Sequence, residues 1–97
     1  MEAFEAEMRA YLDNDHVLTT NSATSATHIA IHLLKRAHGA WPGLEPDDEV
    51  LTTALTCTAT NFPILANGLR IKWVDVDPAT ANISIVDLAR NFPRRQK

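Results

Sequence analysis

Three short runs of strand-forming residues alternate with helical runs along this chain, and that alternation limits the fold more than any other feature. His16-Val17-Leu18-Thr19-Thr20, Glu49-Val50-Leu51-Thr52-Thr53 and Arg70-Ile71-Lys72-Trp73-Val74-Asp75-Val76 read as strands. Before the first, Phe4, Met8, Tyr11 and Leu12 mark one face of a helix that the turn-prone Asp13-Asn14-Asp15 closes. After it, Ala26, Ile29, Ala30, Leu33, Leu34 and Ala37 form the apolar stripe of a second helix, with Lys35 and Arg36 in its last turns and Gly39 as its stop. A loop over Trp41–Asp48 follows. A third helix, capped by Thr56 or Thr58, is expected to run to about Asn67, with Pro63 forcing a late start or a kink. Asp77–Thr80 reads as a turn, and Ser84 with Asp87 resembles a capping box that opens a last helix through Asn91. Strands joined through helices give right-handed crossovers and a parallel sheet. The expected architecture is α/β, with three parallel strands in βαβ units and flanking helices.

With 97 residues, one small domain is the most the chain can form. A chain of this size buries only about 60–65% of its unfolded surface, so a partner surface would help it. Its net charge of -3 argues against nucleic acid as the main partner. No apolar run is long enough to span a bilayer, and the acidic start Met1-Glu2-Ala3-Phe4-Glu5 is unlike a secretion signal. Cys57 is the single cysteine, which excludes an internal disulfide and suits a reducing, cytoplasmic compartment. Residues 88–97 carry Arg90, Arg94, Arg95 and Lys97 and read as a frayed, solvated basic tail.

In a parallel sheet ligands gather where the strands end. At the first such end stands Asn21-Ser22-Ala23-Thr24-Ser25-Ala26, a helix entrance without a bulky side chain. A helix start offers unpaired N–H groups and partial positive charge, which suit an anion. Small side chains let a phosphate reach those amides, and Thr24 and Ser25 add hydroxyls. The same residues can also serve as plain capping and tight packing, and glycine-rich phosphate fingerprints do not occur here. His28 and His32 stand four apart on the second helix, but the intervening residues offer neither the glutamate of a zinc-protease motif nor a third ligand. Trp41 and Trp73 are read as packing residues.

Several ordered motifs resemble one family. YLDNDHVLTTNSATSATHIAIHLL followed by DDEVLTTALTCTATNFPILANGLRIKWVDVDPATANIS, within residues 4–87, is similar to the sugar aminotransferases of the DegT/DnrJ/StrS type. The resemblance implies part of an aspartate-aminotransferase-like (fold type I) large domain and the cofactor pyridoxal 5'-phosphate (PLP). By position it gives Thr24 and Ser25 the cofactor phosphate. It sets Cys57 against the cofactor ring, where the family usually has an aromatic or other flat-packing residue, with Thr56, Thr58 and Asn61 nearby. Transamination needs a lysine for covalent cofactor attachment and proton transfer, and an acid paired with the ring nitrogen. Lys35, Lys72 and Lys97 match neither the family's lysine position nor its surroundings, and Asp75 and Asp77 match its Val-Asp-Val-Asp strand end instead. The expected function is therefore that of a portion of an aminotransferase of nucleotide-linked keto-sugars, inactive by itself. The alternative is a non-catalytic, self-associating α/β module with at most weak phosphate binding. Either way the first strand, which in the family pairs with strands from later in the chain, needs a new neighbour. That neighbour is the second strand, the third strand or another copy of the chain; a dimer or larger assembly is expected, and a complementary chain carrying the lysine is the other partner to consider.

Overall fold

The computed structural model describes residues 1–92. Its elements run α1 (Glu2–Leu12), α2 (Ala23–Leu34), β1 (Glu49–Thr53), α3 (Thr58–Ala66), β2 (Arg70–Val74) and α4 (Ile85–Asn91). β1 and β2 pair in parallel, with Glu49 opposite Arg70 and Thr53 opposite Val74, and α3 makes the crossover between them. The molecule is thus a small α/β fold built on one βαβ unit.

The expected three-stranded sheet is corrected here to two strands. Residues 16–20 do not join it, and among the described residues their backbone bonds to no other backbone group. A strand needs a neighbour for its N–H and C=O groups. The only ladder the described residues form is between β1 and β2, and the backbone of 16–20 bonds to side chains instead: Glu5 and Arg9 of α1 at Thr19 and Val17, and Asn14 at His16.

The βαβ unit holds the core. Pro63 is fully buried, and Ile64, Leu69 and Val74 are buried with it. Pro63 lies in the second turn of α3, where it cannot donate a helical hydrogen bond. Its carbonyl is well used: the Asn67 side-chain amide donates to it at 2.8 Å and the Asn67 backbone N–H at 3.2 Å. Asn61 is also buried. It accepts from the Thr52 hydroxyl at 2.7 Å and donates to the Thr53 carbonyl at 3.0 Å, so it ties α3 to the end of β1. Buried amides pay for desolvation only when bonded in this way.

α2 begins three residues earlier than its apolar stripe and stops at Leu34 rather than Ala37. The stop has a cause. The Leu34 carbonyl accepts from the Trp41 indole N–H at 2.8 Å and from the Leu44 N–H at 3.0 Å, which folds the 35–44 loop back on the helix end. Gly43 lets the loop pass: its φ is +84°, and a Cβ there would lie 2.7 Å from the Lys35 carbonyl oxygen.

Ser84 caps α4 as expected, accepting from the Asp87 N–H at 3.2 Å. The capping box is only half formed, because the Asp87 carboxylate accepts from the Asp75 N–H at 2.8 Å instead. That bond fastens α4 to the end of β2. The helix ends at Asn91 as the capping pattern implies, so residues 88–91 belong to it and not to the basic tail, and residues 93–97 with Arg94, Arg95 and Lys97 lie outside the described residues. No helix of the described residues is long and apolar enough to cross a membrane.

Candidate functional site

The extended 16–20 segment leads into α2, and the helix entrance is open. Asn21, Ser22, Ala23 and Thr24 are exposed and Ser25 is half-buried. Ser22 is the cap: its Oγ accepts from the Ser25 N–H at 3.1 Å and shares a 3.0 Å hydroxyl–hydroxyl bond with Ser25. The Ser22 carbonyl accepts from the Ala26 N–H at 3.1 Å and from the Thr20 hydroxyl at 2.9 Å. One orphan amide of the helix start, that of Ser25, is thereby satisfied, and the Ala26 N–H makes the first i→i−4 bond of the helix. Among the described residues nothing accepts from the N–H of Ala23 or Thr24. No acidic residue stands in the first turn to neutralise the helix dipole.

This division refines the reading of the two predicted residues. Thr24 presents both its amide and its hydroxyl. Ser25 has given its amide to the cap and offers its hydroxyl. Ala23, with no polar side chain to draw attention in the sequence, contributes the second open amide. The side chains at this entrance are small and exposed or half-buried, and no acidic residue stands in the first turn of α2.

Cys57 is exposed and caps α3 with extended backbone, φ −68° and ψ 143°, without a side-chain hydrogen bond. Beside it the Thr56 and Thr60 hydroxyls are bonded to each other at 3.1 Å. Thr58 is exposed, whereas Asn61 turns inward and is committed to β1. α2 and α3 pack together, and the Asn67 amide at the end of α3 reaches the His28 carbonyl at 3.5 Å.

A shallow hollow of about 310 Å³ lies at the carboxyl ends of both strands, lined by Ala54, Leu55, Val74, Asp75 and Val76. This is the end where open α/β sheets take their ligands. A larger one, about 730 Å³, opens at the opposite end between Leu34, Trp41, Leu44, Val50 and Phe92. Its exposed apolar walls mark an uncovered face. Asp75 and Asp77 serve the turn after β2. Asp75 accepts from the Val76 N–H at 2.8 Å, and the Asp77 carboxylate accepts from the Ala79 N–H at 2.8 Å. His28 and His32 are exposed on α2, and among the described residues no three His, Cys, Asp or Glu side chains group as metal ligands.

The comparisons with known proteins agree with this geometry. The model of the DegT/DnrJ/EryC1/StrS aminotransferase family matches residues 1–97. The lipopolysaccharide biosynthesis protein RfbH of Salmonella typhimurium is 38% identical over 90 residues, covering 91% of this chain and 21% of that protein. The crystal structure of the sugar aminotransferase CalS13 from Micromonospora echinospora superimposes with a TM-score of 0.76 at 46% identity, over 95% of this chain and 23% of that one. The E. coli GDP-4-keto-6-deoxy-D-mannose-3-dehydratase, solved with bound hydrated PLP, superimposes with a TM-score of 0.82 at 26% identity, over 99% of this chain and 24% of that one. The chain therefore spans about a quarter of the length of such relatives or less. With the family model matched from end to end, the chain belongs to the DegT/DnrJ/EryC1/StrS aminotransferase family.

Proposed function

We propose that this chain supplies the phosphate-gripping entrance of a PLP-dependent site acting on nucleotide-linked keto-sugars. The observation that carries the reading is the pair of open amides, Ala23 and Thr24, at an exposed, hydroxyl-lined helix start free of carboxylates. Thr24 binds the phosphate through its N–H and hydroxyl, and Ser25 through its hydroxyl. The dipole of α2 favours the bound negative charge. Cys57 faces the ring side, where its thiol gives less contact area than an aromatic residue. PLP, when bound, supplies the electron sink for amino-group chemistry. The relatives support this substrate class by their own names, which include a sugar aminotransferase and a dehydratase of a GDP-linked keto-sugar.

The described lysines do not complete such a site. Lys35 caps the far end of α2, roughly 16 Å along the helix axis from Thr24. Lys72 lies within β2 and pairs with Glu49 at 3.9 Å. The 97 residues by themselves are therefore expected to bind PLP weakly through its phosphate and not to transaminate. Titration of the chain with PLP tests this. A saturable absorbance change that inorganic phosphate displaces, and that is weakened in Thr24→Val, supports the reading. Binding indifferent to Thr24→Val and to phosphate refutes it.

The surface favours a second, compatible property. The chain exposes 7989 Å², whereas a compact monomer of its mass exposes about 5,500 Å². Phe4, Tyr11, Leu55, Trp73, Ile85 and Phe92 are all more than half exposed. The excess matches what one partner buries in an obligate interface, about 1,000–2,500 Å². Self-association, or association with another part of such an enzyme, would cover it, in keeping with the unpaired strand edges. Size-exclusion chromatography with light scattering should give a mass above 10.7 kDa; a monodisperse monomer at high concentration would exclude self-association.

A further inference from the structure

No residue of α1 is buried, yet the helix holds the backbone that feeds α2. Glu5 Oε1 accepts from the Thr19 backbone N–H at 2.9 Å and from the Thr19 hydroxyl at 2.7 Å. One turn later, Arg9 Nη2 donates to the Val17 carbonyl at 3.2 Å and to Glu5 Oε2 at 3.4 Å. Glu5 and Arg9 thus satisfy the Thr19 N–H and the Val17 carbonyl, backbone groups that have no backbone partner among the described residues. The pair is partly shielded: the Glu5 side chain is only 15% exposed, and Arg9 Nε is buried without a hydrogen-bond partner.

We infer that Glu5 and Arg9 are positioning residues for the anion-binding entrance of α2, acting through the backbone of residues 17–19. The inference rests on the phosphate reading above. Only Thr20 and Asn21 separate Thr19 from the Ser22 cap, and the Thr20 hydroxyl is itself bonded to the Ser22 carbonyl. A displacement at Thr19 therefore reaches the Ala23 and Thr24 amides with little slack. Acid dependence follows from the same contacts. The Thr19 N–H and hydroxyl hold the Glu5 carboxyl below its ordinary value of 4.5; partial burial opposes them, and Arg9 and the amino-terminal ammonium add to the lowering.

The test is made on the full chain with inorganic phosphate as the probe, following the Thr19, Ala23 and Thr24 amides by NMR. Glu5→Ala should speed Thr19 amide exchange and weaken phosphate binding, each by about tenfold. Glu5→Gln keeps an accepting oxygen, so it should restore most of both near neutral pH. It should also abolish the weakening that the parent chain shows as pH falls below the ordinary carboxylate range. Phosphate binding by the parent chain that Glu5→Ala leaves intact would overturn this inference alone. Failure of the parent chain to bind phosphate would instead overturn the reading of α2. Should Glu5→Ala unfold the chain, the Glu5→Gln pH profile decides: acid weakening as in the parent chain refutes the inference, and its loss supports it.

Discussion

The βαβ unit and the arm that precedes it are built on opposite terms. In β1–α3–β2, backbone pairs with backbone, two buried asparagines close the polar accounts, and Pro63, Ile64, Leu69 and Val74 exclude water. In the arm of α1, residues 13–22 and α2, neither helix has a buried residue, and the extended segment is held by side chains alone. The contrast teaches where partners come from. β1 and β2 are joined by one crossover helix and find each other within 26 residues, from Glu49 to Val74. The 16–20 segment has no such neighbour close in sequence, so polar contacts from α1 stand in. The βαβ unit resembles a finished core, while the arm that carries the candidate site has no buried residue in either helix.

Mutations separate the two regions, and the largest effect belongs to the core. Ile64→Ala should cost about 2–5 kcal/mol in denaturant unfolding, because it leaves a cavity in the small buried cluster. An effect as small as that of an exposed-site change would deny that the βαβ unit is the stable part. Gly43→Ala comes next, at the join between the regions. Its Cβ would press on the Lys35 carbonyl from a left-handed backbone, and a loss of roughly 1–3 kcal/mol in thermal unfolding is expected. Ser22→Ala removes the cap of α2 and should cost about 1 kcal/mol of stability. It also frees the Ser25 amide, so circular dichroism should show fraying while phosphate binding persists.

The smallest effect is electrostatic and confined to the arm. Glu5 has a lowered carboxyl pKa in the folded chain. Its contribution is fully present above the unfolded value and is lost as pH falls through the folded one. Amide exchange should therefore show residues 16–22 loosening in acid before β1 and β2. Simultaneous loss in both regions would remove the distinction.

The sequence was most legible where local chemistry decides. β1 was bounded at Glu49 and Thr53, and the Ser84 cap of α4 was readable from hydroxyl spacing. Residues 16–20 have strand composition, but composition cannot say whether a neighbour is present. Asp87 looked like a reciprocal cap and was drawn off by the Asp75 amide, a contact twelve residues away. At the site, the small hydroxyl residues of α2 revealed an open entrance. They could not reveal that Ser22 takes the Ser25 amide and leaves those of Ala23 and Thr24 free. Asn61 stood near Cys57 in sequence, yet its amide serves the sheet, because two β1 groups lay within its reach.

The most direct measurement is the response of the Ala23 and Thr24 amide resonances to added PLP. The account expects both to shift saturably and together, the Ser25 amide to move less, and inorganic phosphate to reproduce the pattern. Shifts confined to residues around Cys57 or on the uncovered apolar faces, with Ala23 and Thr24 unmoved, would contradict it.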